Sequence, residues 1–163
     1  MPPIISVVGK SKAGKTTFIE KLVPELKKRG YKIGTVKHAH HGFDIDKEGK
    51  DSWRHQNAGA DTVIVSSSDK IAMTKKEVFI DLDHLIKYFH DVDLVITEGY
   101  KRENKPKIEV FRSTQHKKPL CLDNDELIAF VSDIDMSSNI PSFGLEEIDK
   151  ITDFIEKQFL APH

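Results

Sequence analysis

The apolar positions change period several times along the chain, and each change predicts an element. Ile4 to Val8 is a short β-branched run stopped by Gly9, the pattern of a strand buried on both faces. Phe18, Ile19, Leu22, Val23 and Leu26 then recur at helical spacing. Lys27-Lys28-Arg29-Gly30 supplies the cations and the glycine that favour a helix end, and Pro24 predicts a kink inside the helix. Tyr31 to Lys37 reads as a second strand, so the chain opens as a βαβ unit. Residues 38–50 are polar and irregular, and Asp51 is expected to cap a short helix through Asn57 that Gly59 closes. Strands are expected at Thr62 to Val65, Ile71 to Thr74, Leu94 to Thr97, Ile108 to Phe111 and Ile128 to Val131. A helical segment runs from Leu82 to Phe89, and Leu145, Ile148, Ile151, Ile155 and Phe159 line one face of a closing amphipathic helix. Strands that alternate with helices imply an α/β fold with a mostly parallel sheet and helices on both faces. No repeat or linker interrupts it, so residues 1–163 are expected to form one domain.

Composition narrows the function classes. The 25 Lys and Arg nearly cancel the 26 Asp and Glu, so no global field favours nucleic acid or an anionic membrane, and neither is expected as a partner. The one cysteine, Cys121, allows no intrachain disulfide and no paired-thiolate zinc site, which fits a reducing cytoplasm. The apolar run at the N-terminus is cut by Gly9-Lys10-Ser11-Lys12, too early for a secretory core, and nothing approaches the ~20 residues of a membrane span. A cytoplasmic, unanchored protein is the expectation.

The chemistry begins at Gly9-Lys10-Ser11-Lys12-Ala13-Gly14-Lys15-Thr16, which fills every fixed position of G-x-x-x-x-G-K-[ST] between an expected strand and an expected helix. The two glycines let successive N–H groups turn inward, and the helix N-terminus adds its positive end, so the natural ligand is a polyphosphate. Lys15 is then expected to meet the β- and γ-phosphates, and the Thr16 hydroxyl to ligate Mg²⁺. A carboxylate is needed for the same cation. The run Asp93-Leu94-Val95-Ile96-Thr97-Glu98 has one at each end, and the tendency of ligands to gather at the carboxyl ends of parallel strands favours Glu98. Asp44 and Asp46 lie two apart in the polar loop, as hard oxygen ligands or as solvated loop residues.

Lys37-His38-Ala39-His40-His41-Gly42-Phe43-Asp44-Ile45-Asp46, Gly49-Lys50-Asp51-Ser52-Trp53-Arg54-His55, Ala58-Gly59-Ala60 and Thr97-Glu98-Gly99-Tyr100-Lys101, taken with the phosphate loop, strongly resemble the MobB family of molybdopterin-guanine dinucleotide biosynthesis adaptor proteins. The resemblance covers about Ile4 to Ser132. It implies a P-loop NTPase-like fold, a homodimer, GTP and Mg²⁺ as ligands, weak GTPase activity, and assistance to the guanylyltransferase MobA as it attaches GMP to molybdopterin, with molybdopterin itself a candidate ligand. Carried over by position, Gly14, Lys15, Thr16 and Thr17 match the phosphate-binding segment, and Asp44, Asp46 and Glu98 match the acidic positions near the metal. Asp51, Arg54 and His55 share one face of their short helix; by resemblance Arg54 faces phosphate, and by its residues alone the face could equally be an exposed ion pair.

The common guanine code N-K-x-D is missing: Asn104-Lys105-Pro106-Lys107 lacks the aspartate and Thr74-Lys75-Lys76-Glu77 ends in glutamate. Asp133, just past the strand Ile128 to Val131, is the candidate base reader, because a carboxylate can accept from both guanine N–H groups. Lys10, five residues before Lys15, stands where a related class of dimeric P-loop proteins carries a lysine that crosses the subunit interface, although Ser11 and Lys12 replace the glycines that usually follow it. Two other readings use the same loop. The cluster His38, His40, His41 and His55 suits a metallochaperone GTPase, but without a Cys-x-x-Cys or a histidine tract. A small-molecule kinase needs an arginine-bearing lid, whereas Arg29, Arg54, Arg102 and Arg112 are scattered.

Overall fold

The computed structural model describes residues 1–39, 42–78, 81–136 and 138–160. The chain divides into two compact units, Ala39–Asp81 and the remainder.

The larger unit is built on a six-stranded sheet of β1 (Ile4–Val8), β2 (Ile33–Lys37), β5 (Leu94–Glu98), β6 (Lys107–Phe111), β7 (Leu127–Ser132) and β8 (Ser142–Gly144), in the order β2-β5-β1-β6-β7-β8, with every pairing parallel. β1 is therefore central, with β5 and β6 as its neighbours. Its alternate residues face opposite ways. Ile5 and Val7 join Phe18, Leu22 and Leu26 of helix α1 (Lys15–Lys28) and Ile151 and Ile155 of helix α4 (Ile148–Phe159) in the main core. On the other face Ile4 meets Leu82 and Ile86, while Val8 meets Cys121, Leu127 and Phe130. Between these clusters Ser6 and Thr97 are fully buried and satisfy each other, the Thr97 hydroxyl donating to Ser6 Oγ at 3.0 Å.

This second face departs from the sequence reading. Two helices cover the first face, but here α3 (Leu82–Leu85) is a single turn that tightens into a 3₁₀ turn at Ile86–Tyr88, and irregular chain covers the rest. The charged residues Lys107 and Glu109 of β6 are each 1% exposed. Lys107 donates to the carbonyls of Glu103 and Lys105, at 2.7 and 3.2 Å, and lies 3.4 Å from the Glu126 carboxylate. Glu109 accepts from the backbone N–H groups of Leu120 and Cys121. Each buried charge thus fixes a connecting loop against the sheet.

α1 contains Pro24, whose place inside the helix is tolerated because the apolar face is held by the core. Other differences are local. β8 escaped the sequence reading because three residues, none of them buried, carry no usable period. In the smaller unit α2 (Asp51–Asn57) begins after Lys50, so Asp51 is its first residue and not its cap. The expected strands there, β3 (Thr62–Ser66) and β4 (Ile71–Lys75), do not enter the parallel sheet; they form a separate antiparallel ribbon. Only four residues join them, and Ser67 N–H donates to the Lys70 carbonyl at 2.8 Å, so a hairpin is the connection this length allows. Among the described residues of this unit no side chain is buried.

The end of α1 is locked to α4 by charge. Arg29 reaches Asp153 at 2.6 Å and Glu156 at 2.8 Å, and the buried Tyr31 hydroxyl donates to Glu156 at 2.6 Å. These two donors hold the Glu156 carboxyl below its ordinary value of 4.5, whereas the hydrogen bond to Glu156, followed by burial, pushes Tyr31 up to about 12. A depressed carboxylate stabilises the fold above its ordinary pKa and loses that contribution as pH falls through the folded value. Glu156→Gln is accordingly expected to lower the melting temperature at neutral pH, with the gap from the native protein closing as pH drops below 4.5, measured by thermal melts across pH. The Tyr31 contribution follows the opposite sign, present below 10.0 and lost as pH rises toward about 12.

Candidate phosphate-binding site

The central strand ends directly in the glycine-rich loop. Gly9 has φ +142°, and a Cβ there would lie 2.4 Å from the Val110 carbonyl oxygen of β6, so the loop leaves the sheet at a point where no side chain fits. At the tip Lys12 takes φ +64°, uncommon for a residue with a Cβ, and Gly14 takes φ +99° before α1 begins. No side chain caps α1, and its first turn has no acidic residue. The N–H groups at this helix end thus keep their positive potential for an external anion.

Lys15, the first helical residue, donates to the carbonyls of Gly9 and Lys10, each at 3.0 Å. Burial lowers its pKa; the nearby Glu98 carboxylate opposes this and the Lys37 ammonium adds to it. The Thr16 hydroxyl is 3.0 Å from both oxygens of Glu98. Glu98 stands at the carboxyl end of β5 and is also paired with Lys37 at 3.3 Å, with its side chain 16% exposed. The expected hydroxyl and carboxylate are thus neighbours. They are hard oxygen donors suited to Mg²⁺, which normally takes a few protein ligands and completes its shell with phosphate and water. Among the described residues no three His, Cys, Asp or Glu side chains gather to hold a metal alone, as that coordination habit does not require.

Ala13 of the loop is buried, whereas Ser11, Lys12, Thr16 and Thr17 are exposed. Lys10 points its ammonium at the Lys118 carbonyl, 2.7 Å away, and His116 Nε2 is 2.8 Å from the Ser11 carbonyl. Since a carbonyl only accepts, that ring nitrogen carries the proton. Asp133 follows β7, and its two oxygens accept from Ser113 N–H at 2.8 Å and Ser113 hydroxyl at 3.1 Å. These bonds hold its carboxyl below the usual range. The expected base reader therefore already fastens the segment after β6.

Asp44 and Asp46 lie in the smaller unit, where with Trp53, Gln56, Asn57 and Thr74 they line one groove. Arg54 and Asp51 form an exposed, 3.7 Å ion pair on α2. His38 sets its ring against Tyr100 with centroids 4.9 Å apart, and His40 and His41 lie outside the described residues. The sequence reading passed over Arg112, whose guanidinium rests against Gly14: a Cβ on that glycine would be 3.2 Å from Nε. The rule that picked Glu98, a polar residue at the carboxyl end of a strand beside β1, would have found it.

Known proteins resemble this chain in sequence and in fold. The model of the family MobB, Molybdopterin guanine dinucleotide synthesis protein B, matches residues 4–133. The molybdopterin-guanine dinucleotide biosynthesis adapter protein of Haemophilus influenzae is 38% identical over 94% of this chain and 88% of its own length. The protein of the same name from Escherichia coli is 35% identical over 95% and 92%. The crystal structure of Bacillus subtilis MobB superposes with a TM-score of 0.78 at 29% identity, covering 96% of this chain and 98% of that one. With a parallel six-stranded sheet of the P-loop NTPase-like type and a sequence match across most of its length, this chain belongs to the MobB family.

Proposed function

We propose that this protein is a GTP-binding adapter in molybdopterin-guanine dinucleotide synthesis, which assists the guanylyltransferase MobA and hydrolyses GTP only weakly. The observation that carries the reading is the uncapped, acid-free N-terminus of α1 behind the glycine loop, with Lys15 on one side and the Thr16–Glu98 pair on the other. That pair would hold Mg²⁺, whose chemistry there is to neutralise phosphate charge; Asp44 and Asp46 complete the proposed acidic set. Weak hydrolysis is part of the reading, because neither an arginine finger nor a water-positioning glutamine is assignable among the described residues, and unassisted P-loop GTPases turn over far below about 1 s⁻¹. A cytoplasmic location is part of the same reading; no helix among the described residues is long and apolar enough to cross a membrane.

The reading includes a homodimer. In the ribbon, Ile64 pairs with Met73 and Ser66 with Ile71, which puts Ile64, Met73 and Ile71 on one face, and Ile71 is 74% exposed. Phe43 and Ile45 of the same unit are also exposed. A 43-residue unit with no buried side chain among its described residues gains its core from a second surface, and a second copy supplies one of matching apolar character.

Lys15→Ala is expected to abolish Mg²⁺-GTP binding in calorimetry while circular dichroism stays native, because the backbone nest loses its mobile cation. The native protein, and not this variant, should then be captured with MobA from extract in a GTP-dependent way; GTP affinity retained in folded Lys15→Ala would refute the site.

Glu98→Gln, and separately Asp44→Asn and Asp46→Asn, should weaken binding measured with Mg²⁺ more than binding measured in EDTA. An equal effect in both conditions would remove the residue from the metal's surroundings.

Ile64→Asp combined with Met73→Asp should halve the mass found by light scattering without loss of the parallel-sheet unit's circular dichroism. A native mass in the double variant would place the dimer contact elsewhere.

A further inference from the structure

Arg112 is the first residue beyond β6, the strand that flanks β1 on the side away from β5. The phosphate loop is thereby bracketed, with Glu98 at the end of one neighbouring strand and an arginine at the end of the other. The guanidinium lies on Gly14, since a Cβ there would be 3.2 Å from Nε and 3.5 Å from Nη2. Its Nε is buried and has no hydrogen-bond partner, the one such side-chain atom among the described residues. No described carboxylate is paired with it, and Asp133, just past the adjacent strand β7, is committed through both oxygens to Ser113.

The segment that carries Arg112 is tied down at three points. Asp133 holds Ser113, His116 meets the Ser11 carbonyl, and Lys10 meets the Lys118 carbonyl. Two of these ties are to the phosphate loop itself, so Arg112 keeps its place relative to Gly14. A buried cationic donor without an acceptor is unfavourable, and it is held against the glycine whose neighbouring N–H groups already favour an anion. The acceptor that suits both is a phosphate oxygen, which the planar guanidinium fork matches in shape and charge.

We infer that Arg112 is a second phosphate-binding cation of the loop, acting beside Lys15 on the nucleotide's α- and β-phosphates. The inference rests on the nucleotide reading above. Because the backbone part of such a loop cradles the α- and β-phosphates while the lysine reaches the β- and γ-phosphates, Arg112 serves GDP as much as GTP. It is therefore a nucleotide-holding group, independent of the Thr16–Glu98 pair.

Calorimetric titration of full-length Arg112→Gln with GDP and with GTP, each with Mg²⁺ and with EDTA, tests it. A loss of about ten- to a hundredfold for both nucleotides, in both conditions and with a native melting temperature, is the expected result. Native affinity for GDP would overturn the inference, as would a loss accompanied by a lowered melting temperature in Arg112→Gln and native affinity in Arg112→Lys, because that combination belongs to a structural support. If Arg112→Gln melts early, reduced affinity in a stably folded Arg112→Lys sustains the inference, since the fork is lost and the charge is kept. Lys15→Ala run alongside separates the two levels. Retained binding in Lys15→Ala ends the nucleotide reading, whereas its loss there together with native binding in Arg112→Gln ends this inference alone.

Discussion

The site depends on the central placement of one buried strand. β1 has β5 on one side and β6 on the other, all running the same way, so the three strand ends open on a common edge. The chain must leave β1 there through Gly9, against the Val110 carbonyl, and return as α1 to cover the main core. From that constraint Glu98 arrives beside Thr16, Arg112 beside Gly14, and Lys15 over the loop carbonyls. None of the three positions needs a dedicated element; each is a consequence of where a parallel strand stops.

The two faces of the sheet are supported by different physics. The α1 and α4 face is a conventional apolar layer, in which Phe18, Leu22, Ile151 and Ile155 close over Ile5, Val7 and Ile108. The opposite face adds to its two smaller apolar clusters a set of buried charges that are hydrogen-bonded. Lys107 secures the loop before β6 and Glu109 the loop after β7's partner segment at Leu120 and Cys121. Burial raises the Glu109 pKa, and the two N–H donors with the nearby Lys10 charge work against that rise. The chain between Arg112 and Cys121 is thus pinned at Glu109 below and at the phosphate loop above. A change in loop conformation on phosphate binding would be felt along that segment first, because Ser11 and Lys10 hold it directly.

The smaller unit follows another logic. Its ribbon and α2 have regular hydrogen bonding but no buried side chain among the described residues, and its apolar residues stay open. Regular secondary structure alone does not offset the chain entropy of a segment this size; apolar burial does, and it has to come from outside the unit. The acidic pair Asp44 and Asp46 lines a groove within this unit.

By itself the sequence determined most elements of the large unit, β8 excepted, the loop from Gly9 to Thr16, and the place of Glu98 at a strand end. These signals are local: a β-branched run, a 3.6-residue period and glycines at fixed offsets are all written within a few residues of one another. It also carried the family, through ordered motifs from Ile4 to Ser132. Only the tertiary structure decided what lies across the sheet. Lys107 and Glu109 are buried because loops cover their face, which strand alternation cannot say. β3 and β4 read as members of the main sheet because a strand's own residues do not name its partner. Arg112 and Gly14 are far apart along the chain, and Asp133 looks free until Ser113 is seen to occupy it. Contacts between distant segments come from strand order and loop closure, which no local period encodes.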